Sequence, residues 1–256
     1  MNAKWKKPWV IGGSTGLGAE LVKILASAGI STFVSARNKD KLEVLCDQFT
    51  TAVPYPLDIT NKEACDQAVA NIHNSYNTLP DLIILNAAVY SPMDVENFNA
   101  KEISTMINVN YMGVVNMLAA LLPYKQTTKK VTIAAVTSPS GWRGLPGAIG
   151  YGSSKAAVIN MIESMKPELD EYGFDLRVVN PGFIKTRLTD KNNFKMPQLM
   201  NADDAARRIL KGLSTKKFDI SFPNPFLSYL KLLRILPYSV FFSIMKKIKQ
   251  KKRPHN

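Results

Sequence analysis

Gly12-Gly13-Ser14-Thr15-Gly16-Leu17-Gly18 is the stretch that decides the fold. Trp9, Val10 and Ile11 precede it as a short apolar run, and an amphipathic helical pattern follows over residues 17–28. A strand, a glycine-rich turn and a helix in that order let backbone N–H groups approach a phosphate at the helix N-terminus. The helix dipole favours an anion there. The glycines are spaced G-x3-G-x-G rather than G-x-G-x-x-G. The weight therefore rests on position: the turn follows the first strand and opens the first helix, early in a βαβ unit.

Working outward, the same alternation continues along the chain. Strand patterns fall at residues 8–12, 31–36, 52–57, 81–86, 130–137, 176–180 and 217–222. Helical patterns fall at 17–28, 39–49, 62–75, 100–122, 151–172 and 202–213. The strands are apolar on both sides, as in a parallel sheet covered by helices. The expected architecture is α/β: one doubly wound, Rossmann-type parallel sheet of about seven strands with helices on both faces. It occupies residues 1–225, and a basic, amphipathic helical tail follows over 226–256.

The 256 residues and a hydrophobic share of 46% suit one large domain with a sizeable core. Cys46 and Cys65 show no CxxC spacing and read as reduced structural thiols in a cytoplasmic setting. His73 and His255 have no metal-ligand company, so no metal site is expected. The basic N-terminus (residues 1–7) leads into a first strand rather than a signal peptide. The net charge of +13 raises nucleic acid or an anionic membrane as partners. Eight basic residues and no acid lie within 226–256, so the remainder carries only +5.

Tyr151-Gly152-Ser153-Ser154-Lys155 places a phenol and an ammonium four residues apart, on one face of a helix. A neighbouring cation favours the phenolate and is expected to lower the phenol's pKa from about 10. Ser138 lies upstream.

These residues and the glycine turn resemble the short-chain dehydrogenase/reductase (SDR) family from about residue 8 to residue 222. Gly12, Gly16 and Gly18 match its glycine motif. Asp58, followed by Ile59, matches the acid that meets the adenine ring. Asn86-Ala87-Ala88 matches the N-A-G motif, with Ala88 in place of the usual glycine. Asn110 matches the helix asparagine of the active site, Ser138, Tyr151 and Lys155 the catalytic serine and Y-x-x-x-K, and Pro181, Gly182 and Thr186 the P-G motif and the threonine beside the nicotinamide amide.

The resemblance implies a homodimer or homotetramer and an NAD(P) cofactor held by Gly12, Ser14, Thr15, Gly16, Leu17, Gly18, Arg37, Asp58, Ile59, Asn86, Ala87, Tyr151, Lys155, Pro181, Gly182, Ile184 and Thr186. It makes Tyr151 the acid/base, Lys155 its partner, Ser138 the donor to the substrate oxygen and Asn110 the holder of a relay water. At the end of the second strand, where an NAD-selective fold places an acid, stand Ala36 and Arg37. A guanidinium grips a 2′-phosphate with two hydrogen bonds, so NADP(H) is expected over NAD(H).

The expected function is NADP(H)-dependent interconversion of a ketone or aldehyde with an alcohol, EC 1.1.1.-. Ser140, Trp142, Leu145, Phe183, Leu188, Phe194 and Met196 are the expected substrate pocket, and their apolar character points to an apolar or lipid-like substrate. Residues 187–200, where the family places its substrate lid, form a short segment. The alternatives are a catalytically silent NAD(P)-binding protein, which intact Ser138, Asn110, Tyr151 and Lys155 argue against, and a nucleotide-sugar epimerase, which the glycine spacing and short substrate region argue against.

The tail reads FLSYLKLLRILPYSVFFSIM from Phe226 to Met245, interrupted by Lys231, Arg234 and Pro237. A spanning helix needs about 20 largely uncharged residues. Two short helices broken at Pro237 instead fit an interfacial anchor on the inner face of a membrane, with the basic run 246–253 facing anionic lipid. The competing reading is a C-terminal helix packed on the body or on a second subunit. No nucleic-acid-binding module is present in the sequence.

Overall fold

The computed structural model describes residues 4–125, 130–194 and 196–252. Seven strands form one sheet: β1 (Pro8–Ile11), β2 (Thr32–Ser35), β3 (Ala52–Pro54), β4 (Leu82–Leu85), β5 (Val131–Val136), β6 (Phe174–Pro181) and β7 (Asp219–Phe222). All pairings are parallel, in the order β3-β2-β1-β4-β5-β6-β7. The strand order reverses between β1 and β4, which in a doubly wound sheet opens a crevice at the carboxyl ends of the strands.

Alternation within the strands explains why both faces need covering. Val10, Leu82, Ile84, Ala134 and Val136 point to one face. There they pack with α1 (Gly16–Ser27), α2 (Lys39–Cys46) and α7 (Ala202–Leu213). Trp9, Ile11, Ile83, Leu85, Ile133 and Ala135 point to the other. Their partners are α3 (Lys62–Tyr76), α5 (Gly113–Leu121) and α6 (Ile149–Glu171). Cys46 and Cys65 are free and buried, one in each core.

Two elements differ from the sequence expectation. The third strand ends at Pro54 rather than residue 57. Pro54 and Pro56 bring no N–H to the ladder, which an edge strand tolerates. The continuous helix expected over 100–122 is segmented into α4 (Ala100–Ile107), a π-helical turn at Asn108–Met112, α5, and a 3-10 turn at Leu122–Tyr124 that carries Pro123. Ala100–Tyr124 is long and apolar enough to cross a membrane by length and composition, yet half of its most apolar window is buried inside the protein.

The tail forms α8 (Phe226–Ile235) and α9 (Tyr238–Lys252), broken at Pro237 as expected. It packs on the body. Leu233, Phe241 and Met245 make a small core together with Leu145. The Arg143 guanidinium donates to the carbonyls of Leu233 (2.7 Å), Arg234 (3.2 Å) and Leu236 (2.7 Å), which the end of α8 leaves without helical partners. It also lies over the rings of Tyr238 and Phe241. Lys231 pairs with Asp219 of β7 at 2.7 Å. The tail also exposes Tyr229, Leu232, Ile235, Tyr238, Val240 and Phe242. Arg253 and His255 lie outside the described residues.

Candidate active site

A cleft of about 860 Å³ lies at the crevice. Its floor is the first turn. The N–H groups of Gly12 and Gly13 both donate to Ser35 O, at 2.7 and 3.0 Å. Asn86 Nδ2 donates to Gly12 O at 2.9 Å and ties the end of β4 to the turn. Gly12 has φ +83°, and a Cβ there would sit 2.5 Å from Ala87 N. Only glycine allows so close an approach of the two backbones. α1 begins at Gly16 with no side-chain cap and no acid in its first turn, so its leading N–H groups face the cleft without a protein acceptor from Thr15.

Gly12, Ser14, Thr15, Gly16, Leu17, Arg37, Asp58, Ile59, Asn86, Ala87, Pro181, Gly182, Ile184 and Thr186 all line this cleft. Gly18 does not. It backs the turn, where a Cβ would come within 2.0 Å of Gly12 O, so its role is helix–turn packing. Asp58 Oδ1 accepts from the N–H (2.9 Å) and hydroxyl (2.8 Å) of Thr60, a local turn that fixes the carboxylate at the rim. Beside Arg37 the structure adds Asn38 and Lys41, two residues that sequence reasoning missed.

The other end holds the titrating groups. Ser138, Tyr151 and Lys155 line the cleft together. The Ser138 hydroxyl hydrogen-bonds the Tyr151 phenol and accepts from Ser140 N (3.3 Å) and Ser140 Oγ (3.0 Å). Lys155 is buried, 5.7 Å from the Tyr151 ring centroid, and its Nζ donates to Val136 O at 2.8 Å. Burial pushes the Lys155 ammonium down to about 8.

The expected lowering of the phenol is corrected. Burial pushes Tyr151 well above its ordinary value, the neighbouring Tyr90 adds to this, and the Ser138 hydrogen bond only opposes it. The Lys155 cation, committed to Val136 O, does not reverse the effect of burial.

Asn110 sits in the π-helical turn, fully buried and off the cleft wall. Its Oδ1 accepts from Val89 N (2.8 Å), and its Nδ2 donates to Val89 O (2.9 Å) and Ser154 Oγ (3.0 Å). The side chain expected to hold a water is thus spent on protein partners. It fixes the segment after β4 against α6.

Of the expected substrate residues, Leu188 alone lines the cleft. The others are drawn toward the tail, the 187–200 segment or Ser138. Leu145 packs in the tail core, and Trp142 lies under Lys231. Phe183 stacks on Phe226 at 5.9 Å and meets Phe194 edge-on at 5.7 Å. Ser140 supports Ser138, and Met196 Sδ accepts from Asn192 Nδ2 at 3.4 Å. Tyr90 is the further residue that the sequence reading missed, although it directly follows Asn86-Ala87-Ala88-Val89. It lines the cleft with its ring edge-on to Tyr151, centroids 4.9 Å apart.

The sequence matches the short chain dehydrogenase family over residues 6–197. The chain belongs to the short-chain dehydrogenase family. An uncharacterized oxidoreductase of Myxococcus xanthus is 30% identical over 244 residues, covering 94% of this chain and 96% of the relative. One from Staphylococcus epidermidis is 26% identical over 214 residues, 83% and 93% of the two chains. Among solved structures, a short chain dehydrogenase from Burkholderia cenocepacia in complex with NADP superposes with a TM-score of 0.82 at 24% identity, covering 96% and 99%. A short-chain dehydrogenase from Streptomyces avermitilis gives 0.78 at 20%, covering 99% and 100%. This short-chain dehydrogenase is accordingly an oxidoreductase of the class that acts on CH–OH donors with a nicotinamide cofactor. Its seven-stranded parallel sheet, helices on both faces and helical tail match the architecture expected from sequence.

Proposed function

We propose that the protein is an NADP(H)-dependent reductase that interconverts an apolar, lipid-like ketone or aldehyde with its alcohol. The observation that carries this reading is the convergence of Ser138, Tyr151 and Lys155 on one cleft with the glycine turn at the other end. The turn fits a dinucleotide: the uncapped start of α1 and the close approach at Gly12 suit a pyrophosphate. Arg37 and Lys41, at the same mouth, suit a 2′-phosphate and support NADP over NAD. When bound, the cofactor supplies the hydride chemistry.

The chain's own residues manage the oxygen and its proton. A phenol raised by burial keeps its proton at neutral pH, so Tyr151 Oη stands as general acid toward a carbonyl oxygen. The Ser138 hydroxyl, held by Ser140, donates to that oxygen as charge develops. Lys155, with a pKa of about 8, holds a positive charge below the phenol and steadies the phenolate left behind. Asn110 keeps the Val89 segment and α6 in register. In the oxidative direction Tyr151 is the base.

The silent-binding alternative is disfavoured by the intact Ser138–Tyr151–Lys155 cluster and by relatives named as oxidoreductases. Leu188 at the cleft and the apolar Phe183–Phe194–Phe226 group beside it support an apolar substrate. The outer side of the tail supports attachment to an anionic membrane. Tyr229, Leu232, Ile235, Tyr238 and Phe242 are exposed there, among Arg234, Lys246 and Lys247, and no acid lies within 226–256. The dimer or tetramer implied by the family resemblance belongs to the same proposal.

The test is NADPH oxidation over aldehydes from butanal to dodecanal. Turnover that rises with chain length and is abolished in Tyr151→Phe supports the reading; full turnover in Tyr151→Phe overturns it. Flotation of the full chain with phosphatidylserine vesicles, and not with neutral ones, supports membrane attachment; no flotation with either rejects it.

A further inference from the structure

We propose that Tyr90 positions the catalytic phenol and pins a latch that closes the 187–194 segment across the mouth of the cleft. The ring of Tyr90 stands at 78° to that of Tyr151, an edge-to-face contact that fixes the plane of the second ring. The Tyr90 hydroxyl donates to Asn192 Oδ1 at 2.7 Å. Its backbone carbonyl accepts from Lys191 Nζ, also at 2.7 Å. Two hydrogen bonds therefore join segments about a hundred residues apart in sequence. Leu188, Thr189 and Lys191 of the latched segment line the same cleft as Tyr90, Ser138 and Tyr151.

Both sides of the latch have firm bases. Val89, immediately before Tyr90, exchanges two hydrogen bonds with the buried Asn110 amide. Met93 pairs with Ala148, just ahead of α6. On the other side, Ile184 bridges Met200, and Lys185 N donates to Met200 O at 2.8 Å. Thr189 Oγ1 accepts from Thr186 N and donates to Ile184 O at 2.6 Å. Between these anchors, the Tyr90–Asn192 and Lys191–Tyr90 bonds are what fastens the segment to the loop after β4. Burial pushes the Tyr90 phenol up, so it stays neutral and acts as a hydrogen-bond donor. Substrate that reaches Tyr151 passes this pair of bonds, which makes Tyr90 and Asn192 determinants of substrate size.

The positioning half rests on Tyr151 as the acid; the latch half does not. Three variants separate them: Tyr90→Phe, Tyr90→Leu and Asn192→Ala. Limited trypsin digestion of the full chain is followed by fragment mass for cleavage after Arg187 or Lys191. The latch predicts cleavage about fivefold faster in all three, the equivalent of one lost hydrogen bond. It also predicts no further gain in Tyr90→Phe/Asn192→Ala. Rates equal to wild type overturn it, whatever the enzyme reduces.

With decanal and NADPH, Tyr90→Phe keeps the ring contact, so its effect concentrates in KM. Tyr90→Leu loses the contact and drops kcat by about fivefold to tenfold with an unchanged melting temperature. Equal kcat losses in Phe and Leu variants overturn the positioning role. Absence of turnover in wild type on every aldehyde overturns the reductase reading instead, and the trypsin rates still decide the latch.

Discussion

Lys155 is a cation placed where the fold does not want one, and this has a measurable cost. Its ammonium is buried, its hydrogen bond goes to a neutral carbonyl, Val136 O, and its pKa falls from 10.5 to about 8. A shift of that size corresponds to roughly 3 kcal/mol against the folded state at neutral pH. Lys155→Met keeps the length of the side chain and removes the charge. It also leaves Val136 O without its donor, which costs about 1 kcal/mol or more. The balance is a variant that is about 2 kcal/mol more stable at pH 7, or roughly 4–8 °C in melting temperature for a chain of this size.

The pH dependence follows from the direction of the shift. The unfolded lysine holds its proton up to about 10.5, whereas the folded one loses it near 8. Between those values the unfolded state binds more protons, so wild-type stability rises with pH. The variant lacks that rise, and its advantage shrinks by about 2 kcal/mol between pH 7.5 and 9.5. Urea unfolding of both proteins at several pH values is the assay. A Met variant no more stable than wild type at pH 7, or two parallel stability curves, refutes the reasoning.

Arg37→Ala is expected to weaken NADPH binding about 10- to 100-fold, the worth of one or two charge-assisted hydrogen bonds, and to leave NADH nearly unchanged; a fluorescence titration reads both. Arg143→Ala removes the donor to three carbonyls at the end of α8 and its contacts with Tyr238 and Phe241. It should cost about 2 kcal/mol in urea unfolding and speed trypsin cleavage after Arg234. Cys46 and Cys65 are buried and pushed up to about 11 by that burial. Both should resist a thiol reagent at pH 8 in the native protein and react once it is unfolded.

Strand and helix order was legible because each strand reads as buried on both faces and each helix keeps an apolar stripe, patterns local to the residues themselves. The glycine turn was legible for the same reason: Gly12 needs a backbone geometry that few other residues adopt. The π-helical turn at Asn108–Met112 left no such mark, since its residues suit an ordinary helix. What accompanies it is a tertiary contact, the pairing of Asn110 with Val89 and Ser154. Apolar composition also could not tell a pocket wall from the seat of a tail helix. That is why Trp142, Leu145 and Phe183 read as substrate contacts, whereas the structure sets them against Lys231, the tail core and Phe226. Tyr90 was within reach: an aromatic residue two positions after the Asn86-Ala87-Ala88 motif lies on the loop that borders the cleft.

Lys231 has a consequence for anyone who shortens this chain. Its ammonium meets Asp219, whose other carboxylate oxygen accepts from Asn180 at 3.0 Å. Asn180 in turn accepts from Thr137 at 2.6 Å, one residue before Ser138, the proposed donor to the substrate oxygen. Cutting at residue 225 to obtain a better-behaved protein would strip the counter-ion from a carboxylate at one end of that relay. It would also uncover Leu145 and leave Arg143 with no helix end to hold. A truncated enzyme compared with the whole one therefore measures a rebuilt serine loop as well as a missing tail. The cleaner comparison keeps every residue and changes only the outward side of the last two helices.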